Sequence, residues 1–409
     1  MRILFLTPQL PYPPHQGTAL RNFGLVRGVA QAGHAVWLLA FREAGQPGPA
    51  ETPLAALCAE ALTVPAPPPR GRLVRLRDLL LTGEADMARR LRSEAFGAAL
   101  RDLLARQSFD VIHIEGIEMA AYLPLIQQAQ PVAATIYDAH NAEHDLQRRV
   151  YQIDRADPAR WAGAAYSFAQ WRRLRRFERA ICRAATHVLA VSEADAEALR
   201  QLAGASVTVV PNGIDAESYA QPPADPLDLG PAALVFSGKM DYRPNVDAAR
   251  WFAGRVFPRV RETILEARFV VVGQRPHPRL EPLRAAPGVE LTGQVPAVEP
   301  YLHAAAVYVT PLRMGSGTRF KVLQAMAAGC AVVSTTLGAE GIGAAAERAL
   351  ILADGEADFA QAVIALLRDP QQRRDLGRAA QAFVRGRYDW SAIIPRLLDV
   401  YRSLRGVPA

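Results

Sequence analysis

A glycine-rich segment in the second half of the chain, GSGTRFKVLQAMAAG, has the composition of an anion-binding loop. Its first four residues are small, so backbone N–H groups could approach a ligand closely, and the helix predicted after them would add the positive end of its dipole. These residues are Gly315, Ser316, Gly317 and Thr318. The pattern has neither the third glycine of a dinucleotide fold nor the lysine of a P-loop, so it predicts phosphate binding without naming a nucleotide.

Three polar side chains follow these small residues. Arg319 offers a planar fork for phosphate oxygens, and Lys321 offers a point charge. Lys321 and Gln324 are three residues apart, so on a helix they lie on one face and could share a ligand. The alternative interpretation is an ordinary strand-to-helix loop with two solvated cations.

A second polar cluster, in TIYDAHNAEHD, follows a predicted strand in the first half of the chain. Its members are Asp138, His140, Asn141, Glu143 and His144. Because they follow a strand, we expect them at the edge of a sheet where ligands bind. Turn and helix-capping roles are the alternative, and Asp138 and Asn141 are the better capping candidates.

Both clusters require a fold that brings the ends of several strands together. The alternation of apolar runs and helical stretches along the chain predicts such a fold. RILFLT is a short apolar run, TALRNFGLVRGVAQAG has helical periodicity, and HAVWLLAF is a second apolar run, which together indicate a βαβ unit. The alternation continues to about residue 215 and restarts at AALVFSG. We therefore predict an α/β protein made of two Rossmann-like, doubly wound domains.

The other predicted strands are short apolar runs between helical stretches. They are ALTVPA, DVIHIE, VAATIYD, THVLAVS and SVTVVP in the first half, and RFVVVG, VELTG, VYVTP, AVVSTT and ALILAD in the second. The carboxyl ends of both sheets are expected to face a shared cleft, because ligands of such folds bind there.

The domain boundaries follow from composition. The segment AQPPADPLDLGP, 220–231, is rich in Pro and Asp and is the predicted linker. We assign residues 1–218 to an N-terminal domain and residues 219–387 to a C-terminal domain. Residues 388–409 form an amphipathic helix that is expected to cross back to the N-terminal domain.

The chain has 409 residues with 47 Lys and Arg against 40 Asp and Glu, a net charge of +7. This excess suggests an anionic partner, whether nucleotide phosphate, anionic lipid or nucleic acid. No aromatic-rich RNA motif or helix-turn-helix signal favours nucleic acid. The three cysteines are far apart and lack CxxC spacing, so we expect a reducing cytoplasm.

Much of the basic excess lies in RLVRLRDLLL, MARRLRSEAFGAALRDLLARQ and AQWRRLRRFERAICRAA. Each mixes Arg with apolar residues at helical spacing, which is consistent with binding to an anionic membrane surface at the inner face of the membrane. A solvated helix face is the alternative. No run reaches the roughly 18 apolar residues that span a bilayer, and Pro8 closes the short N-terminal run.

Several ordered motifs resemble the donor-binding half of family 4 glycosyltransferases, which have the two-domain GT-B fold. They are FSGKMDYRPNVDAARWF, FVVVGQRP, VELTGQVPAVEPYL, VYVTPLRMGSGTRFKVLQAMAAG and VVSTTLGAEGI. The first half agrees more loosely, through PYPPHQGTALRNFGLVRGVAQAGHAV, YDAHNAEHDLQRR, LAVSEADAEAL and VVPNGID. The resemblance implies retaining transfer of a sugar from a nucleotide-diphosphate donor to a glycan, lipid-linked or small-molecule acceptor. It also implies that residues 1–218 are the acceptor-binding domain and residues 219–387 the donor-binding domain.

The resemblance also implies roles for individual residues. His140 would lie beside the donor sugar with Glu143 supporting it, and Arg319 and Lys321 would stabilise the leaving diphosphate. Gly17 would let the first loop approach that diphosphate, although a turn glycine is the alternative. The donor-binding set implied is Gly17, Gly238, Lys239, Val295, Gly315, Ser316, Gly317, Thr318, Arg319, Lys321 and Gln324.

No metal or other cofactor is expected. The resemblance implies a metal-independent reaction, and the chain contains no D-x-D sequence, the usual device for holding Mg²⁺ or Mn²⁺ against a nucleotide diphosphate. Positive side chains and backbone amides would have to stabilise the leaving group instead.

The chain departs from the family pattern at three positions. Of the family's basic pair, Lys239 matches the first place but Asn245 occupies the second, so we assign the missing charge to Arg319 and Lys321. Ser316 and Gln324 stand where the family has two glutamates, the second of which is associated with the ribose hydroxyls. A neutral amide is expected to weaken donor binding about tenfold rather than abolish it.

These departures leave two other functions open. The chain could be a catalytically silent subunit that binds a nucleotide sugar, or a nucleotide-sugar epimerase of the same overall fold. Donor turnover by the isolated chain separates an active transferase from a silent subunit, and release of a changed free sugar without acceptor would identify an epimerase.

Overall fold

The structure is a computed structural model that describes residues 1–14, 17–156, 161–314, 320–342 and 348–404. The chain forms two compact units. The first comprises Met1–Gly213 with the chain from Ile393 onward, and the second comprises Ile214–Ala392. The sequence-based boundary at 218/219 falls a few residues later, and the C-terminal chain groups with the first unit from Ile393 rather than forming a separate segment from residue 388.

The first unit alternates strands with helices. Its strands are β1 Arg2–Thr7, β2 Ala35–Arg42, β3 Glu60–Pro65, β4 Val111–Glu115, β5 Ala134–Ala139, β6 His187–Ala190 and β7 Val207–Val209. Its helices are α1 Gly17–Gln31, α2 Leu54–Leu57, α3 Arg72–Leu81, α4 Asp86–Arg90, α5 Glu94–Arg106, α6 Leu123–Ala129, α7 Glu143–Arg155, α8 Trp161–Ala184 and α9 Glu193–Ala203.

Within the described ranges, the first sheet has seven parallel strands in the order β3-β2-β1-β4-β5-β6-β7. Strands β2 and β3 are therefore added on one side of β1, and β4 to β7 are added on its other side. This reversal places the topological switch point between β1 and β4. Ligands of open parallel sheets bind at the carboxyl ends of the strands at such a point.

The second unit repeats the pattern. Its strands are β8 Ala233–Ser237, β9 Arg268–Val272, β10 Val289–Gly293, β11 Val307–Thr310, β12 Val332–Ser334 and β13 Ile351–Leu352. Its helices are α10 Ala216–Ala220, α11 Arg243–Trp251, α12 Phe257–Thr263, α13 Glu299–Ala304, α14 Phe320–Ala327, α15 Glu356–Arg368 and α16 Pro370–Arg387, and α17 Trp390–Leu404 follows them.

In the described part of this unit the sheet has six parallel strands in the order β10-β9-β8-β11-β12-β13. Its switch point lies between β8 and β11. The glycine-rich segment 315–319 lies outside the described residues, but the strand that precedes it and the helix that follows it are β11 and α14. The predicted strand-to-helix connection is therefore confirmed.

Alternating side chains of each strand supply a core on either face of the sheet. In β8, Leu234 and Phe236 belong to one apolar cluster, whereas Ala233 and Val235 belong to the cluster on the opposite face. Strands buried on both faces read as continuous apolar runs, and this is why every strand predicted from such a run is a strand in the structure. The prediction of two parallel-sheet α/β domains is confirmed.

The C-terminal helix α17 packs closely on α1 within the first unit. A Cβ atom on Gly28 would lie 2.3 Å from Cγ1 of Ile394, so only glycine permits this approach. Ile393, Leu397 and Tyr401 on the same helix are fully buried. The contact brings Tyr401 against β4, where it bears on the site described below.

The run MARRLRSEAFGAALRDLLARQ, which has helical spacing, forms two helices. The first, α4, ends at Arg90, and Ser93 caps the second, α5, by accepting a hydrogen bond from the Phe96 N–H at 3.3 Å. None of the helices in the described ranges combines the length and the apolar character that crossing a bilayer requires.

Candidate active site

A cavity of about 340 Å³ lies at the carboxyl edge of the first sheet. Its walls come from the loops that follow β1, β2, β4 and β5, together with the start of α1, so it covers the switch point between β1 and β4. The lining residues are Pro8, Gln9, Thr18, Glu43, Arg90, Leu91, Gly116, Ile117, Glu118, His140, Asn141 and Glu143. Both residues of the first unit that we predicted to act on substrate, His140 and Glu143, therefore line one cavity.

His140 is held at the cavity wall by a carboxylate behind it. Its Nε2 lies 2.8 Å from Oε2 of Glu115, which is fully buried at the end of β4. Burial lowers the pKa of His140, but the hydrogen bond and charge of Glu115 outweigh burial and raise it above its ordinary value. The other ring nitrogen, Nδ1, lies near Gly116, where a Cβ atom would be 3.7 Å from it.

Gly116 makes this arrangement possible. Its φ of +81° lies in the left-handed region, which a residue with a side chain adopts only at an energetic cost. The turn follows β4 directly and brings the Gly116 backbone beside the imidazole of His140.

Behind Glu115 lies a buried network of charged side chains. His113 Nε2 is 3.2 Å from Oε1 of Glu115 and 3.1 Å from Oδ2 of Asp138, and its Nδ1 is 2.6 Å from the Tyr401 hydroxyl. Burial opposes the charged form of His113, yet the two carboxylates raise its pKa to about 9. His113 is therefore an imidazolium near neutral pH, with both ring N–H groups donating.

Arg21 balances the charge of this network. Its guanidinium donates to both carboxylate oxygens of Asp138, with a shortest distance of 2.7 Å, and to the Asn212 Oδ1 at 3.2 Å. Burial raises the pKa of Asp138, but Arg21 and His113 outweigh it and hold that pKa well below its ordinary value. Buried charges are tolerated when they are paired, as Asp138 is with Arg21 and His113. Oε1 of Glu115 is 3.2 Å from His113 Nε2 but has no hydrogen-bond partner among the described residues.

Three members of the network could also be considered as metal ligands. His113, Glu115 and Asp138 each place one ligand atom within 4.8 Å of the others. A metal needs a deprotonated imidazole and available carboxylates, whereas His113 has a pKa of about 9 and Asp138 is paired with Arg21 at 2.7 Å. The cluster therefore fits an internal ion-pair network better than a metal centre.

Glu143 also lines the cavity, at the first residue of α7. Its Oε1 accepts a hydrogen bond from Nδ2 of Asn141 at 3.0 Å. Burial raises the pKa of Glu143 to about 7, against the opposing effect of that hydrogen bond. A carboxyl group that is half protonated near neutral pH can either donate to or accept from a substrate hydroxyl.

The N-terminus of α7 is capped from another helix. Glu178, on α8, accepts hydrogen bonds from the backbone N–H of Glu143 at 3.0 Å and of His144 at 2.9 Å, and lies 2.6 Å from the His144 ring. The alternative interpretation of Asp138 as a helix cap does not hold, because Asp138 is the buried partner of Arg21. Asn141 does not cap it either, since its side chain donates to Glu143.

In the second unit, the predicted donor residues meet at the switch point between β8 and β11. Lys321 Nζ donates to Oδ1 of Asn245 at 2.6 Å and lies 4.7 Å from the centroid of the Phe236 ring. Asn245 in turn donates to the backbone oxygen of Lys239 at 2.9 Å. Lys321 thus brings a positive charge to Asn245, the position at which the chain lacks the family's second cation.

Gly238 permits this meeting. Its φ is +152°, and a Cβ atom there would lie 2.7 Å from both Lys321 Nζ and Asn245 Nδ2. Lys239, the next residue, has an exposed side chain. Of the residues predicted to bind the donor, Gly238 and Lys321 are therefore adjacent, and Lys239 follows them at the surface.

Gln324 lies one helical turn beyond Lys321 and makes a different contact. Its Nε2 donates to the hydroxyl oxygen of Tyr219, on α10, at 2.7 Å. Burial, with the nearby Glu299, raises the pKa of Tyr219 to about 12, so the hydroxyl keeps its proton and can donate it elsewhere. A role of Gln324 at the ribose stays a prediction.

The remaining predicted residues are placed as follows. Val295 lies in the loop after β10 and packs against the apolar cluster that includes Leu302. Gly17 is the exposed first residue of α1, next to the cavity residue Thr18. Gly315, Ser316, Gly317, Thr318 and Arg319 lie outside the described residues.

Sequence reasoning missed four members of the buried network: Arg21, His113, Glu115 and Tyr401. A signal for two of them was present, because His113 and Glu115 interrupt the apolar run DVIHIE with ionisable residues on a strand that is otherwise buried. An ionisable side chain at the end of a buried strand needs a partner, which makes it a candidate for a site.

The sequence matches two protein-family models in order along the chain. The model described as Glycosyltransferase Family 4 matches residues 16–218, and the one described as Glycosyl transferases group 1 matches residues 231–369. Phosphatidyl-myo-inositol mannosyltransferase of Mycolicibacterium smegmatis is 28% identical over 236 residues, covering 53% of this chain and 57% of that protein. The chain thus spans little more than half the length of this curated relative.

Solved structures resemble the whole chain. Sucrose-phosphate synthase from Thermosynechococcus elongatus has a TM-score of 0.72 at 18% identity, covering 99% of this chain and 100% of that one. Anabaena HepE in complex with UDP has a TM-score of 0.64 at 15% identity, covering 98% and 100%. At these identities the likeness shows the fold. With both family models matched in order on two Rossmann-like units, the chain belongs to glycosyltransferase family 4 and has the GT-B type of fold.

Proposed function

We propose that this protein is a retaining glycosyltransferase that moves a sugar from a nucleoside-diphosphate donor to a hydroxyl group, without a metal ion. The observation that carries the proposal is the ordered match of the two family models. The first covers β2 to β7 of the first sheet, the second covers the whole second sheet, and each sheet has polar residues at its switch point. The acceptor class we propose is a glycan, a lipid-linked sugar or a small molecule.

The first unit is suited to holding sugar hydroxyls. Its cavity of about 340 Å³ is at the lower end of the range for small-molecule sites, and it carries an imidazole and several carboxyl groups that can exchange hydrogen bonds with hydroxyls. We assign His140 to a hydroxyl of the transferred sugar and Glu143 to its support. Because Glu115 fixes one ring nitrogen of His140, the other is left to face the substrate.

The second unit supplies the charge for the diphosphate. Lys321 lies at the switch point, and Arg319 with the small residues 315–318 occupies the connection between β11 and α14. Preorganised cations and backbone N–H groups stabilise a leaving diphosphate in place of a metal ion. We propose this role for Lys321, Arg319 and the amides of that loop.

Gln324 would accept a hydrogen bond from a ribose hydroxyl while its amide N–H stays on Tyr219. This contact is neutral, so it would hold the nucleoside more weakly than a carboxylate would. Reduced affinity, rather than a silent subunit, is the consequence we propose for the glutamine.

A donor panel tests the proposed reaction. The purified chain is mixed with UDP-, GDP-, ADP- and dTDP-sugars, scored first by thermal shift and then by release of the nucleoside diphosphate and transfer to acceptor hydroxyls. We expect one base to be preferred and to be turned over with magnesium chelated. A donor that binds without turnover would favour the silent subunit, and a changed free sugar without acceptor would favour the epimerase.

Two matched pairs of variants tie the activity to the sites. His140→Gln is compared with His187→Gln, since His187 is a partly buried histidine at the opposite edge of the same sheet, bonded to Thr208 at 2.9 Å. Lys321→Ala is compared with Arg268→Ala, an ion-paired cation at the start of β9. We expect the first member of each pair to lose activity and the second to retain it; equal losses in both members would contradict the assignment.

A membrane surface is the second partner we propose, and α3 carries the observation. Leu73 and Leu80 lie seven residues apart, hence on one face of this helix, and are 83% and 75% exposed; Leu81 is 77% exposed. Arg77 on the same helix is also exposed. Apolar side chains beside arginines suit the interface of an anionic bilayer, and one relative is named for a phosphatidylinositol acceptor.

Co-sedimentation with vesicles tests this surface. Binding to vesicles of phosphatidylglycerol and phosphatidylcholine should exceed binding to phosphatidylcholine alone, and Leu73→Glu with Leu80→Glu should reduce it. The control is Leu265→Glu, a leucine 75% exposed in the second unit. Binding that is independent of anionic lipid, or equally reduced by the control, would contradict the membrane role.

A further inference from the structure

The hydroxyl of Tyr401 is connected to the His140 ring through a chain of buried side chains. It lies 2.6 Å from Nδ1 of His113, whose Nε2 is 3.2 Å from Oε1 of Glu115. The other oxygen of Glu115 lies 2.8 Å from Nε2 of His140. The chain of contacts thus runs from the C-terminal helix to the wall of the cavity.

We infer that Tyr401 is a positioning residue for His140 and acts on it through His113 and Glu115. This inference rests on the proposed function, in which His140 contacts the transferred sugar. Tyr401 itself does not line the cavity, so its effect on the reaction is indirect.

Burial is what gives the hydroxyl this influence. His113, Glu115 and Tyr401 are all fully buried, so water cannot replace a hydrogen bond that is lost. A buried donor left without a partner bears the full cost of its desolvation. The close packing of α17 on α1 at Gly28 keeps Tyr401 in place, since it leaves no room for a side chain between the helices.

The sign of the effect follows from charge. His113 is an imidazolium near neutral pH, because the carboxylates beside it raise its pKa to about 9, and its Nδ1–H donates to the Tyr401 oxygen. Replacing Tyr401 by phenylalanine leaves this N–H without an acceptor and favours neutral His113. Wherever His113 then releases its proton, Glu115 loses a neighbouring cation and attracts the proton of His140 more strongly, so the pKa of His140 rises.

Other charged groups face the two histidines, and all of them remain in the variant. They are Glu115 and His113 on β4, Asp138 on β5, Arg21 on α1 and Glu143 on α7. Because these groups are unchanged, the difference between the wild type and the variant isolates the hydroxyl.

The test is an NMR titration of the histidine rings in the full chain, with His140→Gln used to assign His140. In Tyr401→Phe we expect the pKa of His140 to rise by about one unit. The pH limb of kcat that depends on His140 should move upward by the same amount, and kcat at neutral pH should fall roughly tenfold with donor KM little changed.

Tyr388→Phe is the matched control. Tyr388 is also a buried tyrosine near the C-terminus, and its hydroxyl donates to the Ile342 oxygen at 2.7 Å. Its variant should lose a similar amount of thermal stability while the pKa of His140 and the pH profile stay unchanged. A folded Tyr401→Phe whose His140 titrates as in the wild type, or an equal shift in both variants, would overturn the inference.

If Tyr401→Phe does not fold, the coupling between His140 and His113 can be measured in a variant of His140 instead. Coupling between two sites is reciprocal, so removing the charge of His140 in His140→Gln should raise the pKa of His113. An unchanged His113 pKa in that variant would overturn the inference.

The titrations need no turnover, so they give a result even if the donor panel finds no transferase activity. Failure of the proposed function is therefore distinguishable from failure of this inference.

Discussion

The carboxyl edges of the two sheets are built in different ways. At the first edge, His140 is backed by Glu115, His113, Asp138 and Arg21, which form a buried set of ion pairs. At the second edge, Lys321 contacts an amide, Asn245, and the face of an aromatic ring. One edge holds its reactive group by buried ion pairs, whereas at the other an amide oxygen and an aromatic ring contact the cation.

This difference fits the two functions that we propose, which are to orient the sugar at the first edge and to stabilise the diphosphate at the second. A group that must meet a sugar hydroxyl in one orientation benefits from a preorganised support, because no reorganisation is then required in the transition state. At the second edge, the amide oxygen of Asn245 positions Lys321 Nζ at 2.6 Å, and an amide is a neutral partner for the cation.

The largest difference between the edges should appear on removing Arg21. Arg21→Met leaves Asp138 buried without its main counter-charge, so we expect the free energy of unfolding to fall by about 3–5 kcal/mol. Urea denaturation measures this change. Arg268→Met, which breaks an exposed pair with Glu290, should cost at most about 1 kcal/mol; a similar loss in both variants would mean that the first network is not a buried one.

The next largest effect is on the pH dependence of the free energy of unfolding, to which Glu143 at the first edge contributes. Burial raises its pKa to about 7 from an ordinary 4.5, so the folded state binds a proton more tightly than the unfolded state. Stability from this group is therefore full below about pH 4.5 and decreases as the pH rises to 7, by up to about 3 kcal/mol. Glu143→Gln stays neutral and should remove that decrease.

Chemical denaturation at pH 5 and pH 8 checks this sign. The Glu143→Gln chain should be more stable than the wild type at pH 8 and nearly equal to it at pH 5. Glu197→Gln, an exposed position on α9, serves as the control and should leave the pH dependence unchanged. A variant less stable than wild type at pH 8 would show that the Glu143 carboxylate is stabilised in the folded chain.

The features of the two edges that depend on neighbouring residues could be predicted from the sequence, whereas contacts between residues distant in sequence could not. Apolar runs and helical periodicity located the strands, the switch-point loops and the residues His140, Glu143 and Lys321, because each depends on a few neighbouring positions. The buried network joins residues far apart in sequence: Arg21 and Asp138 are 117 positions apart, and His113 and Tyr401 are 288 apart. No local pattern encodes such pairs.

The alternative interpretation of Asp138 and Asn141 as helix caps fails for the same reason. Asp138 and Asn141 have the types that cap helices locally, but α7 is capped by Glu178, which lies 35 residues from Glu143 on another helix. Once a distant carboxylate satisfies the free N–H groups of α7, Asp138 is available for Arg21. Tertiary partners thus replaced the local ones that propensity suggested.

At the second edge, removing Lys321 should weaken donor binding without unfolding the chain. Lys321→Ala deletes a charge-assisted contact worth about 1.5–3 kcal/mol, so we expect affinity for the preferred nucleoside diphosphate to fall roughly 10- to 150-fold. Calorimetry measures the affinity, and thermal unfolding should change little, because the side chain is only partly buried. Unchanged affinity would remove Lys321 from the donor site.

Gln324→Glu should have the smallest effect. The glutamine Nε2 now donates to the Tyr219 hydroxyl at 2.7 Å, and a carboxylate in its place would accept the proton of that hydroxyl instead. The Tyr219 hydroxyl can either accept or donate a hydrogen bond, so the contact with α10 is kept in the variant.

A charged acceptor in place of a neutral one changes a single hydrogen bond by about 1 kcal/mol, so donor KM and kcat should stay within about tenfold of the wild type. Steady-state kinetics over a donor series measures both constants, with Gln201→Glu, on the exposed face of α9, as the control. Complete loss of turnover, or a thousandfold gain in donor affinity, would contradict the ribose assignment and leave Gln324 as a support for Tyr219 alone.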